Sequence, residues 1–216
     1  MLPNDHPLRP VYEAMAGCVR ALDAFGAPYM LIGAVAVCLH SEARATDDVD
    51  ASVWLDDDQR LKHLLACFAA EGIRPPKNVS IKLICRARLL RMVHETSGTE
   101  VDVALASTAF ESQAIKNVKR QEFGGLSLPL PRAEDIAVMK AFANRLQDHA
   151  DLEKLLHFHP ALDLRYVRKW LRKMAAAVDS PDLMESLERT LSATRKRGNM
   201  LRRRLASYKK RNSRKR

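Results

Sequence analysis

The sequence lacks any apolar run of about eighteen residues, the length that a helix needs to cross a bilayer, and its first residues contain no apolar leader segment. We therefore expect neither a transmembrane protein nor a secreted one. Only four cysteines occur among 216 residues, and no two of them have the close spacing of a zinc site. The sequence thus predicts free thiols in a cytoplasmic protein that does not contact a membrane.

The excess of positive charge is confined to one end of the chain. The formal net charge is +10, but the segment from Arg195 to Arg216 alone carries twelve of the 36 lysines and arginines and no acidic residue. The preceding 194 residues hold 24 basic against 26 acidic side chains, so they are nearly neutral. A basic tail of this kind either neutralises phosphates of a nucleic acid or is a solvated segment that aids solubility, and its composition alone favours neither.

Hydrophobic periodicity predicts a mixed α/β first half followed by helices, which is an α+β fold class. Helical spacing is present at residues 10–25, again after Gly33, and from Glu134 onward, and a hairpin is expected around Gly124. The predicted strands are residues 29–32, 48–54, 79–85, 89–94 and 101–105. The expected parts are an α/β head at residues 1–131, a helical region at 132–194 and the basic tail at 195–216.

Three aspartates lie in predicted strands that are otherwise largely apolar. Asp48 and Asp50 are two residues apart, so a strand projects both side chains from the same face, with Cα atoms roughly 6–7 Å apart. Asp102, in the sequence VDVAL, is the candidate for a third carboxylate on a neighbouring strand. An aspartate is unfavourable in a strand and costly to bury without a partner, so the three predict a compensating cation. Mg²⁺ binds carboxylates together with substrate phosphates, as metal-assisted phosphoryl or nucleotidyl transfer requires.

The same spacing also fits acids on a solvated face with Asp102 paired to an arginine, and the flanking sequence favours the metal site. The segment LIGAVAVCLHSEARATDDVDASV resembles the nucleotidyltransferase superfamily with a polymerase-β-like fold, in which a strand and a glycine turn lead into a helix and then into a strand with two acids. Arg44, Thr46, Asp48 and Asp50 match the form R-x-T-x-D-[IV]-D, which is similar to the branch of AbiEii-type toxins. The later segments VDVAL and PRAEDIAVMKAFANRLQDHADLEKLL extend the resemblance over residues 29–157.

The resemblance implies a mixed-sheet nucleotidyltransferase head and a set of site residues. Asp48, Asp50 and Asp102 would hold Mg²⁺ or Mn²⁺, with Asp102 either the third ligand or the group that activates the acceptor hydroxyl. Gly33 would let the backbone approach the triphosphate of a bound NTP, where N–H groups at a helix N-terminus favour an anion. Ala34 stands where the family has Ser or Gly, so the backbone N–H is kept and a hydroxyl is lost.

Four further residues receive a role from the resemblance. Arg44 and Thr46 would brace the loop before the acids or contact a phosphate. Lys140 would contact phosphate or assist proton transfer, and Arg145 is expected nearby on the same helix.

Three functions are compatible with these residues. The first is transfer of a nucleotide to RNA, such as the acceptor end of tRNA, with the basic face from Arg165 to Lys173 and the tail from Arg195 to Arg216 following the phosphate backbone. The resemblance adds a toxin role with an antitoxin protein as partner. The second is modification of a small molecule such as an antibiotic, and the third is a catalytically silent binding module.

Overall fold

The structure, a computed structural model, describes residues 7–42, 46–77 and 79–212, with side chains as far as residue 200 except at residue 199. The chain forms two compact units, Met1–Ile136 and Ala137–Arg216. Within the described residues, no helix combines the length and the apolar character that a bilayer crossing demands.

The first unit contains seven described strands and five complete helices. The helices are α1 (Arg9–Phe25), α2 (Gly33–His40), α3 (Leu61–Ala70), α4 (Ile81–Ala87) and α5 (Ala109–Lys116). The strands are β1 (Tyr29–Leu31), β2 (Asp48–Trp54), β3 (Ile73–Arg74), β4 (Leu89–His94), β5 (Glu100–Ala106), β6 (Lys119–Phe123) and β7 (Leu126–Leu130).

A five-stranded mixed sheet in the order β1-β2-β5-β4-β3 is the centre of the first unit, and β6 and β7 form a separate hairpin. The central pair, β2 and β5, is parallel, whereas β1 with β2, β4 with β5 and β3 with β4 are antiparallel. The predicted α+β class is confirmed, with the acidic strand β2 beside the strand that carries Asp102.

Strand alternation gives this sheet one apolar face. The side chains on that face of β2 and β5 are buried, namely Val49, Ala51, Val53, Val101, Val103 and Leu105. Helix α1 packs on this apolar face. Ile73 of β3 belongs to the face, since it is paired with the buried His94 of β4, and a Cβ added at Gly17 of α1 would lie 3.2 Å from Cδ1 of Ile73. Since successive residues of a strand point to opposite faces, Asp48, Asp50 and Asp102 are on the other face.

The strand predicted at residues 79–85 is wrong, because the structure has helix α4 there. Ser80 caps this helix by accepting a hydrogen bond from the backbone N of Leu83 at 3.3 Å. Within the helix only Ile84 is buried, while Ile81 and Leu83 are exposed. A short apolar run does not distinguish a strand from a short helix, and here the N-cap decides the outcome.

The second unit is helical. Its helices are α6 (Ala133–Ala143, which begins in the first unit), α7 (Leu146–Phe158), α8 (Leu164–Ala177) and α9 (Asp182–Asn212). The prediction that Lys140 and Arg145 lie on the same helix is wrong, because the chain turns between α6 and α7 at Asn144, which has a left-handed φ of 55°, and Arg145 is the N-cap of α7. Helix α9 includes the first part of the basic tail, and residues 213–216 lie outside the described residues.

A buried ion cluster joins α6 to α7. Lys140 Nζ lies 3.0 Å from Asp148 Oδ1 and 2.8 Å from Asp151 Oδ2, and each carboxylate is only 1% exposed. Arg145 also donates to Asp148 Oδ2, from its backbone N at 3.1 Å and from Nε at 2.7 Å. Burial raises the pKa of Asp148, but the hydrogen bonds from Arg145 and Lys140 outweigh it and leave this pKa below its ordinary value.

We predict that Lys140→Met lowers the free energy of unfolding by about 3–5 kcal/mol, because it leaves two buried carboxylates without their shared cation. Chemical denaturation measures the loss. The folded state depresses the pKa of Asp148, so the cluster makes its full contribution to the free energy of unfolding above about pH 5. That contribution is lost as the pH falls through the folded pKa. The stabilities of the variant and the wild type therefore converge in acid.

Arg168→Met is the matched control, since Arg168 Nε pairs with Glu188 Oε1 at 2.6 Å on the surface of the same unit. An exposed pair contributes under about 1 kcal/mol. Equal losses in the two variants would contradict the buried-cluster account.

Candidate functional site

A row of charged residues crosses the centre of the sheet. Asp50 of β2 is the direct partner of Asp102 in the parallel strand β5, and Asp102 is the partner of Arg91 in β4. Asp48, two residues before Asp50, is the partner of Glu100. Neighbouring strands lie about 4.8 Å apart, so the register brings the three predicted aspartates together on one face.

The turn from β1 into α2 lies directly against Asp50. The backbone N of Ile32 donates to the Asp50 carbonyl oxygen at 2.9 Å. Gly33 has a φ of +64°, and a Cβ there would lie 1.8 Å from Oδ2 and 2.7 Å from Cβ of Asp50. The N-cap residue Ile32 makes no side-chain capping hydrogen bond, and the positive end of the α2 dipole lies beside Asp50. Ala34, the next residue, is buried.

Thr46 contacts the first of the acids. Its Oγ1 donates to Asp48 Oδ1 at 2.6 Å, which orients a carboxylate that is otherwise exposed. Arg44, to which the resemblance gave a similar bracing role, lies outside the described residues.

Asp102 is paired with an arginine, as the alternative interpretation of the sequence expected, and that arginine is Arg91, which the sequence did not identify. Arg91 Nε lies 3.5 Å from Asp102 Oδ2, with the arginine side chain 74% and the aspartate side chain 27% exposed. Burial raises the pKa of Asp102 above its ordinary value, Arg91 opposes that shift, and the carboxylates of Glu100 and Asp48 add to it. A divalent cation at this point would relieve both the desolvation and the repulsion.

The three carboxylates fit a metal that the substrate helps to hold. Within the described residues, no three His, Cys, Asp or Glu side chains are arranged to hold a metal ion by themselves. Mg²⁺ is commonly bound by one or two carboxylates, waters and substrate phosphates, and not by an all-protein cage. Asp50 and Asp102 on adjacent strands, with Asp48 beside them, suit that mode, and Gly33 keeps the space that a side chain would fill.

Lys140 and Arg145, the other predicted site residues, belong to the second unit. Both take part in the buried cluster on Asp148, in which the Lys140 ammonium contacts two carboxylates, whereas the Arg145 side chain is 74% exposed. Their roles toward phosphate stay predictions.

Three residues on the acid face were missed in the sequence. The residues on either side of Arg91 in sequence, and the residue after Glu100, are apolar and point to the other face of the sheet. Only the strand register shows that Arg91 and Glu100 lie beside Asp102. Ser52, two residues after Asp50, is 1% exposed, and its Oγ has no hydrogen-bond partner. A serine in a strand gives no signal of this kind in the sequence.

Comparisons with known proteins agree on the family. A family described as nucleotidyltransferase of unknown function (DUF6036) matches residues 8–196, which is most of the chain. No curated protein matches the chain.

Solved structures share the fold at low identity. A candidate nucleotidyltransferase from H. pylori is 15% identical with a TM-score of 0.51, over 92% of this chain and 99% of that one. An antigenic nucleotidyltransferase-like protein from Paracoccidioides brasiliensis is 17% identical with a TM-score of 0.48, over 81% and 93%. The antibiotic-resistance factor ANT(2″)-Ia is 14% identical with a TM-score of 0.45, over 91% and 98%. The predicted nucleotidyltransferase fold is confirmed, while the narrower AbiEii-type branch stays a prediction.

We predict that Gly33→Ala weakens nucleotide binding by more than its backbone strain alone explains. The variant forces an unfavourable φ, about 1–3 kcal/mol, and also displaces Asp50, so we expect at least a tenfold loss of metal-dependent nucleotide binding, measured by calorimetry. Gly26→Ala is the control, because Gly26 has a φ of +73° with nothing within 4 Å of a new Cβ. If both variants bound nucleotide like the wild type, the contact with Asp50 would have no part in the site.

Proposed function

The chain belongs to a family of nucleotidyltransferases, and we propose that it transfers a nucleoside monophosphate from an NTP to a hydroxyl of RNA in a reaction that depends on Mg²⁺ or Mn²⁺. The observation that carries this proposal is the register of β2 and β5, which pairs Asp50 with Asp102 beside the Gly33 turn. The proposal includes the cytoplasm as the place of the reaction.

In the proposed reaction a bond forms between the acceptor oxygen and the α-phosphorus. The bond between the α-phosphorus and the oxygen that bridges it to the β-phosphorus breaks, and pyrophosphate leaves. The metal, held by Asp48 and Asp50 and, where Asp102 is the third ligand, by Asp102 as well, would supply charge neutralisation for the phosphates. The backbone N–H groups at Gly33 and Ala34 would bind triphosphate oxygens at the N-terminus of α2.

Asp102 suits the acceptor side of the reaction. Its burial and its acidic neighbours raise its pKa, so it holds a proton more readily than an exposed aspartate does. In the proposal it accepts the proton of the acceptor hydroxyl or completes the metal site. Thr46 keeps the Asp48 carboxylate oriented through its 2.6 Å hydrogen bond.

A basic surface on α8 supports RNA as the acceptor. The basic residues Arg165, Lys169, Arg172 and Lys173 are exposed. Lys173 Nζ lies 5.0 Å from the Trp170 ring centre, and the Trp170 ring meets Tyr166 edge to face at 6.4 Å. Cations interleaved with aromatic rings are typical of surfaces that bind unpaired nucleotides. An RNA-modifying toxin neutralised by an antitoxin is the narrower form of the proposal, and it rests on the resemblance alone.

We predict that the purified protein transfers label from at least one α-labelled NTP to total tRNA when Mg²⁺ or Mn²⁺ is present, and that Asp48→Ala reduces the rate at least a thousandfold. Asp56→Ala, which removes an exposed acid paired with Arg60 outside the site, is the control and should keep full activity.

Two further arms separate the alternatives. An aminoglycoside that accepts label while tRNA does not would replace the proposal with small-molecule modification. Absence of transfer to every acceptor, together with absence of metal-dependent NTP binding, would indicate a silent module. The toxin form requires that expression arrest growth with the wild type and not with Asp48→Ala.

We also predict that Lys169→Gln combined with Arg172→Gln raises the KM for RNA several-fold and leaves the KM for NTP unchanged. Each lost phosphate contact should reduce the slope of log affinity against log salt by about 0.7 for single-stranded RNA. The control removes two exposed charges elsewhere, with Arg20→Gln and Lys62→Gln on α1 and α3. Identical salt slopes for the α8 variant and the wild type would rule out RNA contact by α8.

A further inference from the structure

Arg91 occupies a distinctive place in the row of charged residues. The turn at Gly33 lies against Asp50, Asp102 follows on the next strand, and Arg91 follows Asp102 on the strand after that. The two carboxylates therefore have the N-terminus of α2 on one side and a guanidinium on the other. On the same face of β4 its neighbours are the apolar residues Leu89 and Val93.

The geometry of nucleotidyl transfer places the leaving pyrophosphate on one side of the two carboxylates and the acceptor on the other. The entering and leaving oxygens lie on opposite sides of the α-phosphorus in an in-line displacement. In the proposed function, the leaving pyrophosphate is bound at Gly33 and the start of α2. The acceptor then approaches from the other side of the acids, which is the side of Asp102 and Arg91.

The contact between Arg91 and Asp102 leaves the arginine available to a substrate. The Nε to Oδ2 distance is 3.5 Å, and three quarters of the arginine side chain is exposed. An exposed ion pair of this kind contributes about 0–1 kcal/mol. An arginine also binds phosphate by two parallel hydrogen bonds, a geometry that a weak pair does not prevent.

We propose that Arg91 binds a phosphate of the acceptor RNA and so guides the acceptor hydroxyl toward Asp102, an inference that rests on the proposed function. Among the described residues, the charged partners in this part of the strand register, on Asp48, Asp50, Glu100 and Asp102, are negative, so without Arg91 they repel a polyanion and attract a cation. Arg91 places a positive group beside these acids, and a group that touches its guanidinium is favoured when it is a phosphodiester and disfavoured when it is a cationic aminoglycoside.

The test compares Arg91→Gln and Arg91→Lys with the wild type in the full chain. RNA binding is measured with tRNA and no NTP or metal, so that it does not depend on turnover. The KM for NTP is measured separately, by label transfer with the metal present. We expect Arg91→Gln to weaken RNA binding about tenfold, to lower the salt slope by about 0.7, and to change the KM for NTP less than twofold. Arg91→Lys should recover part of the binding, because it keeps the charge but not the two-bond geometry.

Arg20→Gln is the matched control, since Arg20 is an exposed arginine paired with the half-buried Glu71 at 2.7 Å on α1. It should leave RNA binding unchanged. The inference is overturned if Arg91→Gln binds RNA like the wild type, or if its loss appears equally in the KM for NTP, which is the result expected of a residue that only positions Asp102.

The outcomes also separate this inference from the proposed function. Transfer to RNA that does not depend on Arg91 refutes the inference alone. Arg91-dependent RNA binding in a chain that transfers no nucleotide supports the contact and refutes the proposed reaction. Transfer to an aminoglycoside and not to RNA, together with RNA binding that is the same in Arg91→Gln and the wild type, refutes both.

Discussion

The parallel pairing of β2 with β5 is the constraint on which the rest of the site depends. Its apolar face, with Val49, Ala51, Val101 and Val103 fully buried, fixes which way each strand is turned. A shift of one residue in either strand would bury its aspartates and expose its valines. The burial of hydrophobic side chains on one face therefore also sets the alignment of the carboxylates on the other.

The sequence predicted the local parts of this arrangement better than the long-range ones. Period-two alternation identified β2 and β5, and the glycine at the end of β1 identified the turn, because these signals are local. The helix α4 was mistaken for a strand, since a short apolar run has no clear period and its cap at Ser80 was overlooked. Arg91 was missed for a different reason: its meaning comes from the register of β4 against β5, which joins residues that are distant in the sequence.

Two cations of the chain show how burial changes the role of a charge. Lys140 is enclosed by two buried carboxylates, and its hydrogen bonds hold α6 against α7. Arg91 has a long, exposed contact to one carboxylate. Removing a buried partner leaves an uncompensated charge, whereas breaking an exposed pair costs little. The first arrangement suits a structural role, and the second suits a residue that exchanges its partner for a ligand.

In the proposed function, the open set of carboxylates around Asp50 has a thermodynamic consequence. When protein and nucleotide each supply part of the coordination shell, the metal and the nucleotide raise each other's affinity by the same factor. Neither then saturates the protein alone at a concentration that suffices for the pair. A protein with this linkage responds to the product of the two concentrations, so a fall in free magnesium in the cell would act on it in the same way as a fall in nucleotide.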